Sequence, residues 1–281
     1  MSATATLSPT VIESVQERHR AGESLGRLAK ELGLPWQRLW GFLHTPAAPV
    51  GTCPRVTPHG AGSLTERYRP LSLDTIWGQD GVVKWLRNFA DFPYSTALLF
   101  EGETGTGKTS AALALAAALG CDLSQRPPEF GGVHSIASGE QTADAVRDTC
   151  RLMWNSPFSG SGWKVFIVNE ADRMALPAET IWLDRLESLP QRTVVIFTTN
   201  NPERLSQRFK DRCTRLGFES DAKALRTAAA RFVEALWRAE AGAAPGAEKV
   251  SEILASAESD GKISFRRLAQ EVGKRRLEVR E

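Results

Sequence analysis

Apolar residues along the chain fall into two kinds of run. Thr96-Ala-Leu-Leu-Phe-Glu, Lys164-Val-Phe-Ile-Val-Asn and Thr193-Val-Val-Ile-Phe-Thr-Thr are short, rich in β-branched and aromatic residues, and nearly unbroken by polar positions. That is the pattern of strands buried on both faces. Stretches with helical character lie between and after them, such as Ser110-Ala-Ala-Leu-Ala-Leu-Ala-Ala-Ala-Leu. Strands alternating with helices predict an α/β fold built on a parallel sheet. Near Glu219 the strand-like runs give way to alanine-rich helical sequence, and residues 45–63 hold four prolines and three glycines with little that could anchor a core. These shifts divide the chain into a small all-α unit over 1–45, a linker over 46–64, an α/β domain over 65–219 and a helical unit over 220–281. No internal repeat is visible.

Composition narrows the class. With 281 residues, 42% hydrophobic and 24% charged, the chain is globular, and a mainly disordered or fibrous protein is excluded. No run approaches the roughly eighteen apolar residues of a membrane span, and Met1-Ser-Ala-Thr-Ala-Thr-Leu lacks the features of a signal peptide. A cytoplasmic location without membrane partners is the expectation. Cys53, Cys121, Cys150 and Cys213 are widely spaced, which fits reduced thiols better than a disulfide framework or a zinc site. A net charge of +2 confines any nucleic-acid contact to local patches.

The most specific signal is Gly102-Glu103-Thr104-Gly105-Thr106-Gly107-Lys108-Thr109, which follows a predicted strand and precedes a predicted helix. The spacing is that of a phosphate-binding loop. Glycines let successive N–H groups turn toward phosphate oxygens, and the following helix adds its positive N-terminus. Lys108 would reach the β- and γ-phosphates of ATP, and the Thr109 hydroxyl would hold Mg²⁺. The apolar strand ending in Asn169-Glu170-Ala-Asp172 supplies a second element. Asn169 stands where an acid is expected on the metal side and brings no charge, which would attenuate turnover; Glu170 is placed to polarise the attacking water. Asp172 reads as a helix N-cap or first-turn acid. Asn200 ends the third strand, where it either faces the γ-phosphate or caps the turn at Pro202. Arg208 and Arg212 lie four apart, on one face of a helix, and either can point out of its own subunit.

In this order the motifs resemble the AAA+ ATPases, and within them clamp-loader small subunits of the replication factor C type. Glu66-Arg-Tyr-Arg-Pro-Leu-Ser-Leu-Asp-Thr-Ile-Trp-Gly-Gln is similar to the segment that wraps the adenine, so the resemblance implies base contacts from Arg69, Pro70 and Ile76. Ser135-Ile-Ala-Ser-Gly-Glu-Gln-Thr-Ala-Asp-Ala-Val-Arg and Lys210-Asp-Arg-Cys also match family segments. The likeness implies Asn200 as first sensor, Arg212 as a finger acting on a neighbour's ATP, and Arg266 as second sensor with Arg267 in reserve. It implies an AAA+ nucleotide-binding domain with a helical lid at 220–281, assembled as a homo- or hetero-oligomer of AAA+ subunits.

Residues 23–42 have the spacing of a helix-turn-helix, with Ala29 small at the helix contact, Gly33 at the turn, Pro35 starting a second helix, and Leu39 and Phe42 closing the core. Trp36, Gln37 and Arg38 would then face DNA. Residues 1–68 carry seven basic against five acidic residues, so a DNA-binding unit and a protein-docking bundle both remain open. Residues 262–281 carry seven against three, a sharper excess that suits phosphate or a neighbouring subunit. Three functions fit: an ATP-driven switch that assembles on DNA with a clamp, helicase or transposase; an ATP-stabilised scaffold with little turnover; and a site-specific DNA-binding regulator.

Overall fold

The computed structural model describes residues 62–278 without a break and, ahead of them, residues 11, 14, 15, 18, 23, 25–33 and 39. In the N-terminal part, helix α1 (Leu25–Glu31) packs Leu28 and Ala29 against Val15 and Leu39, all buried. Gly33 follows with a left-handed φ of 65°, the conformation glycine adopts without steric cost. Arg18 joins the side chains of Glu23 and Glu31. Pro35, Trp36, Gln37, Arg38 and Phe42 lie outside the described residues, as does nearly all of the linker.

The described chain resumes with a single helical turn, α2 (Leu64–Arg67), and α3 (Asp80–Asp91). Five strands then alternate with helices: β1 (Thr96–Glu101), α4 (Lys108–Ala118), β2 (Val133–Ile136), α5 (Ala143–Leu152), β3 (Lys164–Val168), α6 (Leu176–Leu186), β4 (Thr193–Thr199), α7 (Gln207–Asp211) and β5 (Thr214–Gly217). The sheet order is β2-β3-β4-β1-β5 and every pairing in it is parallel. The apolar runs anticipate the three central strands. They do not anticipate β2 and β5, which sit at the sheet edges, keep polar positions exposed, and therefore look like loop sequence.

The unbroken apolar runs have a direct cause. Leu98, Phe100, Val165, Ile167, Val194 and Ile196 face a core shared with α3 and α4. Their neighbours Ala97, Leu99, Phe166, Val168, Val195 and Phe197 face a second core under α5, α6 and α7. Alternate side chains of a strand point to opposite faces, so a strand covered on both sides needs apolar residues at every position. Full burial of a Leu or Phe contributes about 1.5–3 kcal/mol, and Phe100, Phe166, Phe197 and Trp182 are among those fully buried.

Beyond β5 the chain turns helical: α8 (Ala222–Ala241), α9 (Ala247–Ala257), a short hairpin of β6 (Glu258–Ser259) and β7 (Lys262–Ile263), and α10 (Phe265–Glu278). Asp221 caps α8 by accepting from the backbone of Lys223 and Ala224, and Gly242 ends it with a φ of 74°. These helices form a third core around Phe232, Val233, Leu236, Ile253, Leu268 and Val272, into which Tyr68 and Trp77 also insert. Glu240 locks this junction. Its carboxylate, almost wholly buried, accepts from Tyr68 Oη at 2.6 Å and Arg67 Nη2 at 2.6 Å, and it also pairs with Arg276. Among the described residues no helix is long and apolar enough to cross a membrane.

Candidate functional site

A cleft of about 310 Å³ opens where three parts of the chain meet at the carboxyl ends of the strands, the usual ligand position in an open parallel sheet. Its floor is the glycine-rich loop. Thr104, Gly105, Thr106, Gly107, Lys108 and Thr109 line the cleft, while Gly102 and Glu103 sit behind it and turn their carbonyls to Lys108. Helix α4 starts at Lys108, two residues earlier than its apolar pattern suggests, with Gly107 as N-cap at a φ of 101°.

Lys108 Nζ donates to Gly102 O at 2.7 Å, Glu103 O at 2.8 Å and Asn200 Oδ1 at 2.9 Å. Burial pushes its pKa down to about 8; the nearby Arg266 cation acts in the same direction, while Glu103, Asp172 and Glu170 oppose the shift. Two cations sharing one partly desolvated cleft favour an anion between them.

The ends of β3 and β4 form the wall beside the loop. Thr109 Oγ1 donates to Asn169 Oδ1 at 3.1 Å, and Asn169 Nδ2 donates to Ser135 Oγ at 3.2 Å and Ile136 O at 3.3 Å. Glu170 follows with a left-handed φ of 53°, unusual for a residue with a side chain. Its carboxylate accepts from Ser138 Oγ and forms an ion pair with Arg173 at 3.0 Å, so it is not a strand-end acid left to solvent. Asp172 lies in the first turn of a 3₁₀ helix, yet its carboxylate does not cap that turn. It accepts from Thr199 Oγ1 at 2.8 Å and Asn200 N at 3.3 Å, tying the end of β4 to the chain after β3. Asn200 presents its side chain to Lys108, and the residue that precedes the turn at Pro202 is Asn201.

The far end of the cleft is apolar. Leu64, Tyr68, Pro70, Ile76 and Trp77 come from the segment before α3, and Phe232, Phe265 and Ala269 from the C-terminal helices. Arg69 also lines it, held by Glu66. A base or other flat apolar group fits such walls. Arg266 lines the cleft and Arg267 does not. The C-terminal unit grips the outside of the loop: Phe265 N donates to Gly105 O at 3.0 Å and Lys262 pairs with Glu103. A Cβ on Gly105 would lie 2.0 Å from Ser264 Oγ, so only glycine allows this approach.

Arg212 is absent from its own cleft. It forms the C-cap of α7, donates Nη1 to Arg208 O at 3.1 Å and pairs with Glu187.

Several participants escape a sequence reading. Gln141, buried, donates Nε2 to the carbonyls of Asn169 and Glu170, and Ser138 holds Glu170. Gln79 bridges Glu219, through both its backbone N–H and carbonyl, to Thr106 O. Gln79, Ser138 and Gln141 all lie in segments with a recognisable pattern, but only the tertiary contacts assign them these bonds. Tyr68 and Trp77 lie in the segment likened to one that wraps an adenine, whereas Phe232 and Phe265 could be found only by knowing which distant segments meet.

For a magnesium ion the donor set is thin. Thr109 Oγ1 and Asn169 Oδ1 are bonded to each other, and both nearby carboxylates are engaged elsewhere. Mg²⁺ commonly uses one or two carboxylates together with phosphates. These residues therefore fit a cation carried in by phosphate groups and touched by Thr109, rather than one caged by protein.

The sequence pattern of the family described as DNA polymerase III, delta subunit, matches residues 79–222. The chain is 34% identical over 140 residues to the replication factor C small subunit of Thermoplasma acidophilum, covering 48% of this chain and 42% of that protein. It is 32% identical over 156 residues to replication factor C subunit 3 of Saccharomyces cerevisiae, covering 55% and 44%. The chain thus spans less than half the length of either relative. Among solved structures, the RuvB Holliday junction branch migration motor of Thermotoga maritima superposes with a TM-score of 0.56 at 17% identity, over 74% of this chain and 65% of that one. The latter likeness is one of fold.

Proposed function

The chain belongs to the DNA polymerase III delta-subunit family, and from that premise we propose that it is a clamp-loader-type AAA+ subunit that binds ATP to drive assembly on DNA during replication. One observation carries the reading. Lys108 and Thr109 leave the glycine-rich loop and bond the ends of β4 and β3, at Asn200 and Asn169, beneath a cleft with an apolar far end. A nucleotide matches that gradient: phosphates at Lys108 and Arg266, base among Ile76, Trp77, Phe232 and Phe265.

In this reading the loop backbone and Lys108 orient the phosphates, Thr109 touches the metal that accompanies them while Asn169 holds the Thr109 hydroxyl, and Asn200 aligns the terminal phosphate. Mg²⁺, when bound, neutralises phosphate charge. Glu170, held in place by Ser138 and Arg173, acts as base. Arg212, facing away from its own cleft, serves a neighbouring subunit in a homo- or hetero-oligomer. Residues 65–219 form the nucleotide-binding domain and 220–281 the lid, with 1–45 as a DNA-targeting unit joined by the linker at 46–64; Trp36, Gln37 and Arg38 contact DNA.

A second reading, an ATP-stabilised scaffold with little turnover, is favoured by the pairing of Glu170 with Arg173. Calorimetric titration with ATP tests the binding claim. Lys108→Ala should bind far more weakly than the wild-type chain; equal affinity in the two proteins overturns it. ATP turnover with and without DNA separates the two readings.

A further inference from the structure

We propose that this cleft holds ATP with little dependence on a divalent cation, because Asn169 is a structural amide rather than a weakened metal-side acid. The inference rests on the ATP-binding reading and deepens it.

Asn169 uses both of its amide hydrogens and one acceptor site of its amide oxygen. Oδ1 accepts from Thr109 Oγ1 at 3.1 Å, and Nδ2 donates to Ser135 Oγ at 3.2 Å and to Ile136 O at 3.3 Å. Its backbone N–H donates to the same Ile136 carbonyl at 3.1 Å. A carboxylate has no proton for that carbonyl and would set negative oxygen against it, so the surroundings call for an amide. The neighbouring acids do not replace the missing charge. Glu170 is held by Ser138 and Arg173, and Asp172 by Thr199 and the backbone of Asn200. Phosphate charge is met instead by Lys108 and Arg266, which line the same cleft. Where protein cations supply the neutralisation and no protein carboxylate anchors the metal, a cation adds little to binding.

The test measures equilibrium binding of ATP to the full chain at pH 7, in excess Mg²⁺ and in EDTA. The wild-type dissociation constant is expected to change by less than about threefold. In Asn169→Asp the added carboxylate repels metal-free phosphates and attracts the metal, so the two conditions should differ by about tenfold or more. A wild-type affinity that drops tenfold in EDTA overturns the inference without reference to any variant. So does an Asn169→Asp protein that melts cooperatively yet shows the wild-type metal response. Absence of ATP binding in both conditions overturns the nucleotide reading along with it, an outcome distinct from metal-sensitive binding.

Discussion

The two ends of the cleft are built on different plans. The phosphate end comes from one contiguous loop and the ends of two adjacent strands, and its polar groups bond one another across short gaps, as in Lys108 to Asn200 and Thr109 to Asn169. The base end joins segments more than 150 residues apart, with Tyr68 and Trp77 meeting Phe232 and Phe265 across the boundary between the sheet domain and the C-terminal helices. Its contacts are apolar and edge-on, such as Trp77 on Phe232 at 5.8 Å and Phe232 on Phe265 at 5.4 Å. Directional bonds hold one geometry. Apolar contacts alone tolerate sliding, but behind them Glu240 pins this end through Tyr68, Arg67 and Arg276. Under the proposed nucleotide reading, the phosphate end would set whether nucleotide binds, and the base end would bring it against the C-terminal helices.

The harshest way to break this contrast is to remove a group that belongs to neither end. Arg212→Ala should bind ATP nearly normally and hydrolyse it about a thousandfold more slowly, the size of effect seen for fingers supplied by a neighbour. Mixing it with Lys108→Ala should restore part of the rate, since each protein carries what the other lacks. A mixture that assembles and stays inactive assigns the role to Arg208 or to no neighbour at all.

At the phosphate end, Lys108→Ala is expected to weaken ATP about a hundredfold in calorimetry, the order of effect for deleting one partner of a desolvated charge pair. Unfolding of the variant would shift its melting curve, so thermal denaturation is the control.

A gentler perturbation of the same group is pH. Burial depresses the Lys108 pKa to about 8 from 10.5. Below pH 8 the amine is charged in the free protein; above it the amine is neutral, and bound phosphate must draw a proton back. ATP affinity should therefore fall above pH 8 by up to about tenfold per unit, with proton uptake visible in buffers of different ionisation enthalpy. The sign for stability is opposite. A lysine whose folded pKa lies below its unfolded value destabilises the fold while charged, and that cost fades as pH rises from 8 toward 10.5. An affinity independent of pH up to 10 would place Lys108 away from the phosphates.

The smallest effect belongs to the base end. Tyr68→Phe deletes only the hydroxyl that Tyr68 gives to Glu240, leaves the ring in place, and should weaken ATP by about threefold, near the net worth of one hydrogen bond. A loss as large as that of Lys108→Ala would erase the contrast between the ends.

Local sequence was sufficient for the phosphate end. Glycine spacing, one lysine, one threonine and a flanking strand and helix define a loop whose conformation is set within eight residues, and Lys108, Thr109, Asn169 and Asn200 do come together. The three central strands were equally legible, because burial on both faces forces an uninterrupted apolar run. The edge strands β2 and β5 were not, since one open side removes that demand. Residues 1–68 illustrate the same limit. The spacing that placed Ala29 in a contact and Gly33 in a turn rests on local geometry, which the buried Ala29 and the left-handed Gly33 satisfy, while Trp36, Gln37 and Arg38 lie outside the described residues. Only tertiary structure decided that Glu170 is paired with Arg173, that Asp172 clasps the end of β4 rather than capping its own turn, that Arg266 and not Arg267 faces the cleft, and that Asn169 bonds Thr109, Ser135 and Ile136. These outcomes depend on which partner lies within about three ångströms, and chain folding brings such partners together from residues 3 to 60 positions apart.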